Sequence, residues 1–316
     1  MSPPIRVSVA VVGICGAEHL SRCLDALARQ EDAPPFEVIV AYDPALRDIA
    51  ALAPRHPGVR MVSNEGQRTP LELASRALRE SPGDVVLLTE DHCVPSPHWV
   101  RNLARALPEG APAVGGTIEV ASDASPTDFA FYFVDFFRYA PPVRGGSSPT
   151  LTVCNVAYRR ADLEAIADQW RDFFHETAVN DALRARHGPL ALVPDAPVRM
   201  RRHVRLGDAL YERYAFGRLF GCTRLAFASG PRRLLYTALA PALPALLLAR
   251  MAGKALPSPG LRGPFLRALP ALAGMVLTWS WGEWLGYLTR RRPLRLTVAP
   301  EIASGSGTGC SPLRTD

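Results

Sequence analysis

Val85-Val86-Leu87-Leu88-Thr89-Glu90-Asp91-His92-Cys93-Val94-Pro95 decides the fold. Five apolar or β-branched residues run straight into two acids and a histidine, and Pro95 argues against further strand. A segment apolar on both faces reads as a central strand of a parallel sheet, and ligands of open α/β sheets collect beyond the carboxyl ends of such strands. Glu90 and Asp91 therefore stand where a metal ion or a phosphate is handled. A polar turn capping the helix that begins near Pro97 explains the pair equally well until the rest of the chain is read.

The flanking segments repeat the same alternation. Val7 to Ile14 is a β-rich run ending in a glycine turn, followed by a helix with Leu20, Cys23, Leu24 and Leu27 on one stripe. Phe36 to Tyr42 is a second apolar strand delivering Asp43, and Val59 to Val62 is a third. Pro70 opens a helix carrying Leu71, Leu73, Ala74, Ala77 and Leu78. Strands and helices alternating at this spacing predict an α/β fold with a mostly parallel, right-handed sheet. Beyond Pro112 come a glycine-containing strand (113–120), an aromatic cluster (129–139) expected to pack as core, a strand over 151–158, a helix through Arg186 and a short last strand. Gly13 and Gly16 lack the third glycine of a dinucleotide fingerprint, and Lys254 is the sole lysine, which disfavours kinase and P-loop ATPase readings.

Charge divides the 316 residues unevenly. Residues 1 to 198 carry 18 Arg and Lys against 25 Asp and Glu, whereas residues 199 to 316 carry 18 against 5. The basic part is also the apolar part, which points to anionic lipid rather than nucleic acid. Six cysteines with no close pair in sequence suggest neither a zinc ribbon nor a disulfide framework, so reduced thiols are expected. Only Arg6 precedes the apolar run at Val7 and no small-residue cleavage pattern follows it, so that run is read as a strand and the acidic domain is expected in the cytoplasm.

Assembled in order, these features resemble glycosyltransferase family 2, the inverting nucleotide-sugar enzymes of the GT-A fold, over about residues 5 to 205. Val7 to Gln30 is similar to the family's opening strand and helix. The second strand ends, like its counterpart, on an acid beside the nucleotide, which implies that role for Asp43. Thr89-Glu90-Asp91 falls at the D-x-D metal signature, Asn155 to Arg160 at the acceptor-side segment, and His175-Glu176-Thr177 at the base-bearing pair of acids. The resemblance implies a nucleotide diphosphate sugar donor and Mg²⁺ or Mn²⁺ held by Asp91, with Glu90 an auxiliary through water. It also implies Glu176 as the base that deprotonates the acceptor, with Asp181 as the alternative, and His203 as a phosphate or metal contact. Thr89 and Thr177 depart from the pattern, each standing where an acid is usual. His92 is expected to play a structural or acceptor-facing part. A nucleotidyltransferase, or a catalytically degenerate scaffold, are the competing readings.

The remainder is expected to meet a membrane. Residues 206–230 read as an amphipathic interfacial helix and residues 231–295 as a membrane-embedded hairpin, spanning or re-entrant, at the cytoplasmic face of the plasma membrane. Within it, Leu234 to Ala249 is uncharged but short for a span, and Ala268 to Thr289 has Glu283 as its sole charge. The last stretch, 296–316, is expected to be disordered. The acceptor implied by this setting is a glycan of the cell envelope or a polyprenyl-linked sugar.

Overall fold

A computed structural model describes residues 6–63, 69–107, 111–224, 230–291 and 293. The chain divides into two compact units, Met1–Glu119 with Tyr139–Arg201, and Val120–Arg138 with Arg202–Asp316.

The first unit begins with β1 (Val7–Gly13), α1 (Ala17–Ala28), β2 (Phe36–Tyr42), α2 (Arg47–Ala50), β3 (Val59–Ser63), α3 (Pro70–Glu80) and β4 (Val85–Glu90). The strands β3-β2-β1-β4 are neighbours in that order and all parallel. β1 is buried along its whole length and β4 along all but its last residue, as continuous apolar strands covered on both faces must be. Helix α3 starts where the sequence supplies a reciprocal cap. The Thr69 hydroxyl accepts from the Glu72 N–H at 3.3 Å, the Glu72 carboxylate accepts from the Thr69 N–H at 2.8 Å, and Pro70 occupies the first turn.

From here the sheet changes character. The chain breaks at Asp91-His92 and resumes as β5 (Cys93–Pro95), then α4 (Trp99–Ala106) and β6 (Ala113–Val120). After an excursion through α5 (Pro126–Phe136) it returns as β7 (Gly146–Ser148), β8 (Val156–Arg159), α6 (Arg160–Glu164), α7 (Glu176–His187) and β9 (Leu190–Met200). The full order is β3-β2-β1-β4-β8-β6-β9-β5, with β7 also on β9. β8 joins β4 antiparallel, β6 joins β8 antiparallel, and β5 pairs antiparallel with β9. The parallel arrangement expected from the sequence thus describes the β3-to-β4 part, and the remaining strands add a mixed edge. Strand structure stops at Pro95 as expected, though only after the short β5 that Pro95 closes; β5 lies at the end of the order, where a missing N–H is tolerated.

The second unit is helical: α5, α8 (Leu206–Arg224), α9 (Gly230–Leu239), α10 (Leu243–Ala255) and α11 (Pro259–Thr289). The aromatic cluster packs as core here, with Phe133 stacked on Phe129 at 5.2 Å and meeting Phe265 of α11 at 5.8 Å. Helix α8 buries Ala209, Glu212, Arg213, Ala215, Gly217, Leu219 and Gly221, a face of small and charged residues rather than an apolar stripe. Arg202 and Glu212, both buried, pair at 3.1 Å, Arg213 pairs with Asp135, and both guanidinium groups lie over the Phe131 ring. Part of the basic run at 199–203 is therefore core.

Four glycines let α8 and α11 touch backbone to backbone. A Cβ at Gly217 would lie 2.2 Å from the Trp279 oxygen and one at Gly221 2.3 Å from the Glu283 oxygen; reciprocally, Gly282 faces the Tyr214 oxygen at 2.1 Å and Gly286 the Arg218 oxygen at 2.5 Å. These are two G-x-x-x-G pairs meshed together, a device common between helices in membranes. The apolar run 268–289 lies inside α11, whose buried residues include Leu272, Met275 and Val276. Among the described residues, one helical stretch, Leu234–Ala255, is long and apolar enough to cross a membrane, and 11% of its most apolar window is buried. The stretch 296–316 and residues 225–229 lie outside the described residues.

Candidate active site

The site is built where three neighbouring strands end. Register sets Gly13 of β1 beside Tyr42 of β2, and Val12 beside Glu90 of β4. Asp43 and Asp91, each the next residue on its strand, therefore flank the turn that leaves β1 at Ile14-Cys15-Gly16. Gly16 has φ 101°, a conformation that favours glycine, and it delivers the chain into α1.

Asp91 is wholly buried. Its Oδ2 accepts the N–H groups of Ile14 at 2.8 Å and Cys15 at 2.7 Å, and its own N–H donates to the Val12 carbonyl at 3.0 Å. The second oxygen, Oδ1, has no hydrogen-bond partner, and the His92 Nδ1 stands 3.8 Å away. Asp43 repeats this arrangement. Oδ1 accepts the Ala45 N–H at 2.8 Å while Oδ2 is buried without a partner. A buried carboxylate oxygen without a donor is costly unless a cation or a ligand hydroxyl meets it. Hard oxygen ligands of this kind suit Mg²⁺ or Mn²⁺, so these residues fit the expected metal.

Glu90 sits differently. Its Oε2 lies 3.3 Å from the Cys154 Sγ, which donates to it, and 3.6 Å from the His92 Nδ1. Burial pushes its carboxyl up to about 7, against the opposing pull of the His92 charge. Thr89, the departure from an acidic signature, donates its hydroxyl to the Cys154 carbonyl at 2.8 Å and so ties β4 to the segment before β8.

Glu176 opens α7, and its Oε2 accepts the Val153 N–H at 2.9 Å, which fixes the carboxylate beside the 152–155 segment. Asp181 is exposed on the same helix, pairs with Arg184 at 3.4 Å, and lines an open pocket of about 580 Å³ with Ser147, Ser148 and Arg184. His203 belongs to the second unit, where its Nδ1 meets Asp128 at 2.9 Å and its Nε2 lies 3.7 Å from Asp123. Asp128 also caps α5, so the ring is held by a carboxylate that is itself fixed.

Two features escaped the sequence reading. Asn155 is a buried hub, donating to the Thr117 and Ala196 carbonyls at 2.8 Å each and accepting from the Trp99 indole at 2.8 Å. It requires Gly116, where a Cβ would lie 1.9 Å from the Ala196 oxygen. The glycine pair in the strand at 113–120 was the available signal. The other is a cluster of thiols. Cysteines far apart in sequence converge because Leu88 pairs with Val156, which carries Cys154 alongside Glu90. His92, Cys93 and Cys154, all buried, bring their ligand atoms within 4.8 Å of one another.

The parallel β3-β2-β1-β4 order, with an acid directly after β2 and after β4, is that of a GT-A type fold. Residues 11–167 match the model of the family described as Glycosyl transferase family 2. A curated relative, an N-acetylglucosaminyltransferase of Rhizobium sp. (strain N33), is 28% identical over 297 residues, covering 85% of this chain and 61% of the relative. The chain thus spans about three fifths of that relative's length. A solved structure, the mannosyltransferase PcManGT from Pyrobaculum calidifontis in complex with GDP-Man and Mn²⁺, is 18% identical with a TM-score of 0.52. The match covers 92% of this chain and 86% of that one.

Proposed function

We propose that the protein is an inverting glycosyltransferase that moves a sugar from a nucleotide diphosphate sugar to a glycan or polyprenyl-linked acceptor. The observation that supports this best is the pair of buried, unpartnered carboxylate oxygens, Asp91 Oδ1 and Asp43 Oδ2, on the two strands flanking β1. Asp91 is the residue that would hold a divalent ion, and Asp43 the one that would accept a hydroxyl or N–H of the nucleoside. The ion supplies stabilisation of the charge that grows on the departing diphosphate. Asp91 is buried, so the turn at Ile14-Cys15-Gly16 must yield for a donor to reach it. Glu90 adds negative charge beside Asp91 while its carboxylate faces Cys154 and His92. Glu176 takes the acceptor proton from a carboxylate held by the Val153 N–H; Asp181, exposed and unrestrained by backbone, is the alternative base. For His203 to reach a diphosphate it would first have to give up Asp128.

The catalytic domain, 1–205, is set at the cytoplasmic face of the plasma membrane by the helices that follow. Supporting this are Leu234, Leu235, Leu239 and Leu246, which expose 74%, 52%, 56% and 45% of their surface on the stretch that, among the described residues, is apolar enough to span. The test is a panel of nucleotide sugars, beginning with derivatives of N-acetylglucosamine and mannose, scored for Mn²⁺-dependent hydrolysis and thermal stabilisation of the full chain. One donor should stabilise only with metal present. No response across the panel, with a folded protein, would leave the scaffold reading in its place.

A further inference from the structure

We propose that His92, Cys93, Cys154 and Glu90 form a second metal site, of the thiolate type that takes Zn²⁺, distinct from the donor carboxylate Asp91. The three soft ligand atoms lie within 4.8 Å of one another and all three residues are buried. Glu90 Oε2 approaches two of the three, at 3.3 Å from the Cys154 Sγ and 3.6 Å from the His92 Nδ1. Around tetrahedral Zn²⁺, bond lengths of about 2.0 to 2.3 Å place neighbouring ligand atoms at roughly 3.3 to 3.8 Å. The two edges at Glu90 already have that length, and side-chain rotation would have to close the edges that involve the Cys93 thiol.

Chemistry separates this site from the one at Asp91. Thiolate and imidazole select a soft or borderline ion, whereas a lone carboxylate with diphosphate oxygens selects Mg²⁺ or Mn²⁺. Cys15 also approaches the His92 Nδ1, at 4.0 Å, but its companion there would be Asp91, whose free Oδ1 is the oxygen already given to the donor's ion. Glu90, His92 and Cys93 follow one another at the end of β4, the break after it and the start of β5, and the fold brings Cys154 to them from the segment before β8. Two of them, Glu90 and His92, bracket Asp91 in sequence. An ion bound there fixes the backbone on either side of the donor carboxylate, which makes this a positioning site with no step of its own in the transfer.

The test uses the full chain, reduced, stripped with chelator and titrated with Co²⁺ in excess Mg²⁺, which fills oxygen sites without absorbing. We expect a thiolate-to-metal charge-transfer band with the intense visible bands of four-coordinate Co²⁺, both removed by Zn²⁺. Cys154→His should keep the visible bands while lowering the charge-transfer intensity by about half, since one thiolate of two remains. Asp91→Asn should leave the whole spectrum in place even as Mn²⁺-dependent donor binding is lost, so the two sites fail independently. Weak six-coordinate bands alone in the unmutated protein, or a charge-transfer band unchanged in both Cys93→Ser and Cys154→His, would overturn the proposal.

Discussion

Asp91 has two jobs on two oxygens, and a pair of substitutions separates them. Asp91→Ala takes away the acceptor shared by the buried Ile14 and Cys15 N–H groups, bonded at 2.8 and 2.7 Å. Each buried donor so stranded costs about 1–3 kcal/mol, and the two together are a large part of a typical stability of about 5–15 kcal/mol. Asp91→Asn keeps an oxygen at the Oδ2 position and so keeps both bonds. It loses only their charge assistance, about 1 kcal/mol apiece. At the Oδ1 position, however, it presents an amide N–H₂ that no cation accepts. The asparagine variant should unfold in denaturant about 2 kcal/mol more easily than the parent, and the alanine variant at least as easily again. Calorimetric titration with a nucleoside diphosphate should show the Mn²⁺-dependent component absent from the asparagine variant. Retention of that component would refute the metal assignment, and an alanine variant as stable as the asparagine one would refute the clamp.

Replacing Glu176 by Gln should lower kcat by about 10²- to 10⁴-fold with donor binding unchanged in a thermal-shift assay, while Asp181→Asn should turn over nearly as the parent does; the opposite pattern moves the base to Asp181. Gly116→Ala drives a Cβ to 1.9 Å from the Ala196 oxygen and 2.5 Å from the Asn155 amide, so it should cost upwards of about 2 kcal/mol in denaturant unfolding. Gly58→Ala, with nothing within 4 Å, should stay within about 0.5 kcal/mol of the parent in the same experiment. Gly282→Ala should separate α8 from α11 and be read as a lower melting temperature in the full chain, whereas Gly253→Ala, facing open space, should not.

What could be read from the chain follows from the range over which its causes act. Strand-helix alternation is local, and so are the apolar run of β4, the acid after it and the helix start at Pro70; all were visible in the order of residues. The antiparallel half of the sheet was not, because β8 reaches β4 only after the chain has passed through β5, β6, α5 and β7, and no local pattern encodes that choice. The thiol cluster was hidden for the same reason: Cys93 and Cys154 are distant in sequence until the pairing of β4 with β8 brings their segments together. The excursion of α5 into the second unit gave a different signal, an aromatic run correctly expected to be core though not in the unit where it packs. The glycine spacing at 217, 221, 282 and 286 was written in the sequence and went unread, since a helix assessed for amphipathicity draws attention to large side chains, not missing ones.

The mesh of α8 and α11 has a mechanical consequence. Most helix pairs slide a little, because a bulky side chain can hop from one notch to the next. Here the backbones meet only where both helices lack side chains, at positions spaced by four residues. Shear along the axis has no nearby resting place until the four-residue glycine spacing, about 6 Å, has been crossed. The two helices can part, or they can stay, but they cannot creep. A load applied at one end of α11 is thereby passed to α8 undiminished in register.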